Sequence, residues 1–471
     1  MAVRVETSEP KRLEWSEGGA SRFAFWLSMV SGAPLMIWWL GWYPGLMSSD
    51  SIAQLTEVES GEITNTIPAV HTIAVASITA VWDSPAAVTL LQVVALTLVV
   101  ATISSRLTRL GVPWPLTVLA AVGFTLLPSV GSAAIALEVG VARGLVALWL
   151  LAEMLEMVGR GYSYFDSTLR SVRLGVAIGL AWLLHHGGII VVLVFASALL
   201  WRHRRRPQRL YRAALALVGT FVMVQGVIYA IVGVDRAVTP LGVAYAPEVA
   251  AVFHHAPQRL DEPDWVRMAE VADLAVWEGA YRCGHGDSLV TNPEFDATPI
   301  RSEPGEYRGL AVRAFFASPG TVMGHRLCAA GHFLVPGQPL GERFETYTYN
   351  VPLNDLGVAR ASKWEGGFNL TKAMLVRTDQ RSRLWLFWRP AVLMWPALGA
   401  LVVLAVRRRR RYMWPGLVVA AYLALGVLTT RLPAFREVFA VYAVAWFSLL
   451  LWWPALVRER RWSQDRYRSA S

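Results

Sequence analysis

Cysteine is nearly missing from this sequence: Cys283 and Cys328 are the two in 471 residues. Two thiols are too few for a disulfide framework or a cysteine-built zinc site, and they leave open one disulfide or two free thiols. Charge is sparse too, at 17% of residues, and no Lys or Arg occurs between Arg22 and Arg106. No internal repeat stands out, which argues against the inverted halves of many transporters. No charged residue falls at the midpoint of a clear apolar run, although Arg143 and Glu153 lie near the ends of one. That scarcity lowers the case for ion-coupled transport, which needs such groups. No small-x-small cleavage site follows the first apolar run, 23–41, which ends at Trp42-Tyr43-Pro44. A retained anchor is expected there rather than a cleaved signal.

What the sequence has in abundance is apolar surface. Hydrophobic residues make up 55% of the chain, with 21 tryptophans and a mean hydropathy of +0.41. Soluble domains average roughly 45–50% apolar. The net charge of +10 comes from arginines placed beside the apolar runs. That is the pattern of cytoplasmic loops, so the charge reads as membrane topology and no nucleic-acid partner is expected.

The runs predict an all-α polytopic membrane protein of about ten transmembrane helices in the cell's inner (plasma) membrane, with both termini cytoplasmic. Residues 1–22 are the expected cytoplasmic start. Residues 23–234 form a membrane module of about seven spans, with an outer loop over 42–82 whose apolar part, 67–82, suits an interfacial helix. The run 174–201 is interrupted by His185-His186-Gly187-Gly188 and is basic on both flanks, which predicts a hairpin of two short helices. Residues 235–383, between the seventh and eighth spans, are too polar for lipid and are expected to form a mixed α/β domain on the outer (periplasmic or extracellular) face. An amphipathic stretch near 309–335 is expected to rest on the bilayer. Residues 384–456 supply three more spans, and 457–471 a basic cytoplasmic tail.

Chemistry is sought on the outer side. Asp50 follows the Pro44-Gly45 turn just beyond the first helix, where a carboxylate can accept a proton from an attacking alcohol. The competing role is a helix cap by Ser48, Ser49 or Asp50. Glu138 opens the fourth span on the same side, where it can act with Asp50 on a substrate hydroxyl, share a divalent cation, or simply suit the helix dipole. Arg143, one turn on, can hold a phosphate or pair with Glu138. His185 and His186 interrupt an apolar run, where they can bind a phosphate or line a polar turn. Gln54 and His71 are weaker candidates of the same kind. Arg431 and Arg436 are basic residues in a short outer loop, an arrangement that favours a phosphate partner, with Glu437 as the alternative partner of Arg436.

Taken in order, Tyr43-Pro44-Gly45, Asp50, Gln54, Pro68 with Thr72, Glu138, His186-Gly187-Gly188-Ile189 and Phe435-Arg436 resemble the GT-C superfamily of membrane glycosyltransferases. The likeness is to a bacterial branch with a Tyr-Pro-Gly…Asp start. The chain departs from that pattern at Ile67, Glu138, His185 and Glu437, where His, Lys-Asp, Arg and Tyr are common. The resemblance implies an inverting transfer of a sugar from a polyprenyl-phosphate donor to a glycan, lipid or protein acceptor. In that scheme Asp50 is the base and Arg143 or Arg436 stabilises the leaving phosphate; Gln54, His71, His185 and His186 assist binding. Beyond the donor and acceptor, membrane lipids are the expected partners, and a divalent cation is the one cofactor to test. The rivals are a transporter or flippase, a lipid-linked polysaccharide polymerase or ligase, and a scaffold that binds wall polymer.

Overall fold

The computed structural model describes residues 17–205, 207–235, 241–337, 344–347, 351–406, 410–430 and 432–453. Among the described residues the regular structure is helical, with no strand beyond three isolated bridges. The chain forms α1 (Glu17–Gly41), α2 (Ser49–Ser60), α3 (Ala69–Thr79), α4 (Pro85–Arg109) and α5 (Trp114–Leu126). It continues through α6 (Pro128–Ala134), α7 (Val139–Arg160), α8 (Thr168–Leu183), α9 (Ile189–Arg202) and α10 (Tyr211–Phe221), the last prolonged by a π-helical stretch, Val222–Ile228. Then come, among other helices, α11 (Leu241–His255), α12 (Pro304–Ala317), α13 (Pro319–Ala329) and α14 (Glu365–Thr378). The chain returns as α15 (Ala391–Val406), α16 (Trp414–Thr429) and α17 (Phe435–Ser448).

Among the described residues four stretches are long and apolar enough to cross a membrane: Arg22–Gly41, Pro85–Arg109, Pro207–Val232 and Arg381–Leu404. A fifth qualifies if α5 and α6, bent by 68° at Leu127, count as one span. Helices do form at the other expected positions, but α8, α9, α16 and α17 have 14 to 16 residues, and α7 carries Arg143, Glu153, Glu156 and Arg160. Length and composition therefore support four or five crossings, and the count of ten goes beyond them. The break at His185–Gly188 is present, with α8 and α9 packed together on either side.

The helix ends gather into two polar regions. At one end Glu153 is fully buried, 3.6 Å from Arg106, bonded by Arg173 and by the Tyr164 hydroxyl at 2.8 Å. A buried carboxylate with two cations and a phenol has its lone pairs satisfied, which makes this end a latch between α4, α7 and α8. At the other end α1 stops, α7 and α17 start, and α8 gives way to α9. Two glycines let α7 and α17 meet there: a Cβ on Gly140 would come within 2.4 Å of the Arg436 carbonyl oxygen, and one on Gly144 within 2.4 Å of the Phe439 ring.

Among the described residues of 235–383 no strand forms, in place of the mixed domain expected there. Residues 243–322 hold a helical core of their own around Ala250, Val252, Met268, Trp277, Leu310 and Ala314. Local signals favour helix there: Asp261 and Asp264 close a capping box, and Asp273 caps the next helix. Cys283 and Cys328 form a disulfide across 45 residues, deciding between the two states the sequence leaves open. On α12 and α13, within the stretch 309–335, Val312, Phe315, Phe316, Met323 and Leu327 lie exposed. Ala330, Phe333 and Leu334 pack into the other core instead. Phe344, Tyr347, Phe368 and Leu375 join the core of the membrane bundle, and α14 packs on α1 with Trp42 donating to the Thr371 hydroxyl at 2.8 Å.

Candidate active site

The turn after α1 brings the first candidate into place. Gly45 adopts φ +137°, open to glycine at little cost, and a Cβ there would strike Thr89 at 2.6 Å. The chain then pairs with the segment before α7: Leu46 N–H donates to the Ile135 carbonyl and Leu137 N–H to that of Leu46, each at 2.9 Å. Ser51 ties α2 to the same segment by donating to the Leu137 carbonyl at 2.6 Å. These bonds set the start of α2 beside Glu138.

Asp50 is not the cap of α2. Ser48 takes that role, accepting from the Ser51 N–H at 3.3 Å, while the Ser51 hydroxyl accepts from the Ser48 N–H at 3.0 Å. With the cap supplied by two serines, Asp50 remains 57% exposed in its side chain. Together with Glu138 it flanks a cavity of about 190 Å³, whose walls also include Gln54, Arg143, His185, His186, Arg436 and Glu437.

The ion pairs differ from the ones that sequence neighbours suggest. Arg436 does not pair with Glu437; its Nη1 lies 3.3 Å from Asp50 Oδ2 and 3.6 Å from Glu138 Oε1. Arg143 does not pair with Glu138; it donates twice to Glu437, at 2.9 and 3.1 Å. The reason is geometric: adjacent residues on a helix point about 100° apart, so Arg436 and Glu437 serve different neighbours. The wall thus holds three carboxylates (Asp50, Glu138, Glu437) against two guanidiniums. Glu138 is buried, and burial pushes its carboxyl above the usual range, while Arg436 and the Ser48 hydroxyl pull it back.

Gln54 lines the cavity, with its side-chain amide 3.1 Å from His71 Nδ1 and 3.2 Å from the Thr72 hydroxyl. His71 itself stands behind Gln54 rather than on the wall, so its expected place as a binding residue is corrected to a support. Burial, reinforced by the charge of Arg143, lowers the His71 pKa to about 4, so the ring is neutral near pH 7. His185 Nδ1 accepts from the Gly187 N–H at 2.9 Å, which leaves its proton on Nε2, 3.4 Å from the Thr429 hydroxyl. His186 Nε2 is 3.1 Å from the Thr66 carbonyl oxygen, the geometry of a donor. The histidines therefore hold the α8–α9 turn to its neighbours while facing the cavity. Arg431 lies outside the described residues.

No family model, curated protein or solved structure matches the chain. The site must therefore be judged on its own chemistry. A shared divalent cation does not fit the donors as they stand, because the Arg436 guanidinium bridges the two carboxylates that would hold it. Among the described residues no group of three or more His, Cys, Asp or Glu is arranged for a metal.

Sequence reasoning missed one contributor. Glu437 was visible only as a neighbour of Arg436, and nothing in the spacing linked it to Arg143, 294 residues away. Tyr347 is not among the residues lining the cavity. It packs on Phe435 at a centroid distance of 5.9 Å, and the segment before it is tied to α17 by Phe435 N–H donating to the Glu345 carbonyl at 2.8 Å.

Proposed function

We propose that this chain is an inverting glycosyltransferase that moves a sugar from a polyprenyl-phosphate carrier to an acceptor hydroxyl at the outer face of the cell membrane. The observation that carries the proposal is one cavity, at the end of the apolar bundle away from the Arg106–Glu153–Arg173 latch. It joins a half-exposed carboxylate to two guanidiniums. The arginine-rich latch end suits the cytoplasm, and in this reading the cavity faces outward. A lipid carrier explains why the chemistry would sit at the end of apolar helices.

In this scheme the acceptor oxygen attacks the anomeric carbon and gives its proton to Asp50. The bond from that carbon to the phosphate oxygen breaks, and the electron pair leaves with the lipid phosphate. Arg436 is shared in the free protein between Asp50 and Glu138. As charge builds on the leaving phosphate, the guanidinium is drawn to it and away from Asp50. That movement frees the Asp50 carboxylate from its ion pair at the moment a base is needed. Arg143 is held by Glu437 and supports the cluster from the adjacent wall. Gln54, anchored by His71 and Thr72, offers an amide to a sugar hydroxyl.

The test is transfer from radiolabelled polyprenyl-phosphate sugars in membranes bearing the wild type or Asp50→Asn. Loss of about 10² to 10⁴ in rate, with donor binding retained, supports Asp50 as the base. Equal rates remove Asp50 from that role. Movement of label across the bilayer with no bond formed would favour a flippase instead.

A further inference from the structure

Residues 360–383 carry a basic surface that the cavity does not use. Six cations (Arg360, Lys363, Lys372, Arg377, Arg381 and Arg383) stand there against two acids, Glu365 and Asp379. All six cations are exposed, whereas Asp379 accepts from the Thr346 hydroxyl at 2.7 Å and Glu365 lies 3.7 Å from Arg360. Helix α14 runs through this surface with one side sunk in the bundle at Phe368, Thr371 and Leu375. Its other side is open at Leu370, Lys372, Ala373, Val376 and Arg377, with Trp364 and Trp385 exposed beyond its two ends. Two of the cations lie over rings: Arg360 Cζ is 3.7 Å from the Phe368 centroid, and Lys363 Nζ is 4.5 Å from that of Tyr43.

The place of this surface in the fold says what covers it. It is stitched to the end of the apolar stretch Arg22–Gly41, with Lys363 N–H donating to the Leu40 carbonyl at 2.9 Å and Ala361 N–H to that of Tyr43 at 2.8 Å. It runs on directly into the apolar stretch Arg381–Leu404. Two membrane-length stretches thus end at α14, which sets its open side at the level of lipid headgroups. Leucine, valine and tryptophan interleaved with lysine and arginine suit that boundary: the apolar side chains enter the acyl edge and the long cations reach phosphates. A soluble polyanion would match the cations but leave Leu370, Val376 and both tryptophans in water. We propose that the open side of α14 and its basic flanks are a docking surface for anionic phospholipid headgroups. Through Leu40 and Tyr43 the docked lipid steadies the turn at Gly45 that leads to Asp50.

The inference requires no sugar transfer, so a chain inactive as a transferase leaves it standing. For the test, Ala373 is replaced by photoreactive benzoylphenylalanine in the full-length chain. The protein is reconstituted into phosphatidylcholine vesicles holding a minor share of phosphatidylglycerol, with one lipid or the other radiolabelled in its phosphate. Irradiation is expected to attach phosphatidylglycerol about fivefold or more above its share of the vesicle, the preference that a single basic residue near an anionic surface confers. Lys372→Gln with Arg377→Gln should lower that enrichment while leaving the melting temperature unchanged, since both side chains are exposed. High salt should lower it in the unsubstituted background as well. Attachment in proportion to the bulk lipid, a cross-linked second copy of the chain, or an inserted protein that takes up no lipid would overturn the proposal.

Discussion

Glu437→Gln removes one charge from the pair that joins α7 to α17, and the structure sets the size of the effect. Arg143 donates to Glu437 at 2.9 and 3.1 Å, and the two side chains are 9% and 21% exposed. Breaking a buried pair by removing one partner costs about 3–5 kcal/mol, because a buried charge is left uncompensated. Glu437 is a fifth exposed and glutamine still accepts one bond, so the low end applies, about 3 kcal/mol. That is roughly a hundredfold in the folded ratio. Replacing both partners, as Arg143→Met with Glu437→Leu, removes the stranded charge and is expected to recover most of the loss. The assay is a double-mutant cycle read from thermal unfolding in detergent, with the wild type and both single variants alongside. A Glu437→Gln protein as stable as the wild type, or a double variant no better than the worse single, would refute the pairing. The recovered double variant is still expected to be inactive, since the cavity then lacks Arg143.

Two further outcomes follow from the same structure. His71 is neutral in the fold down to about pH 4 but titrates near 6.5 when unfolded, so the unfolded chain binds more protons between those values. Stability is therefore expected to fall as pH drops from 6.5 toward 4, and His71→Asn to flatten that slope in melting curves taken across the range. Replacing Cys283 and Cys328 by serine opens a loop of 45 residues, which chain entropy values at about 4 kcal/mol. Limited proteolysis should then cut within 243–322 first, while the bundle core stays resistant; equal cleavage everywhere would contradict the separate core of that unit.

The apolar runs, the arginine placement and the break at His185–Gly188 were legible in the sequence because each is a local property. Asp50, Glu138, Gln54, Arg143, His185, His186 and Arg436 were legible as candidates for a related reason: each is a polar residue where an apolar or turn-forming stretch has no need of one. They do line one cavity. His71 was found by the same signal but stands behind the wall, since its exposure depends on how α3 turns against α2. The mixed outer domain was misjudged because short polar segments with prolines read equally well as strands and as short capped helices.

By itself the sequence determined the helical, apolar character of this chain and the roster of polar residues at one end of its helices. Both follow from side-chain chemistry and periods of a few residues. The tertiary structure alone decided that Arg436 serves Asp50 and Glu138 while Arg143 serves Glu437. It also decided that Cys283 meets Cys328. These pairings join residues far apart in the chain, and they depend on how closely α7 and α17 approach through Gly140 and Gly144. A hydrophobic period tells a helix which face to bury, but the partner on the other side is chosen by packing.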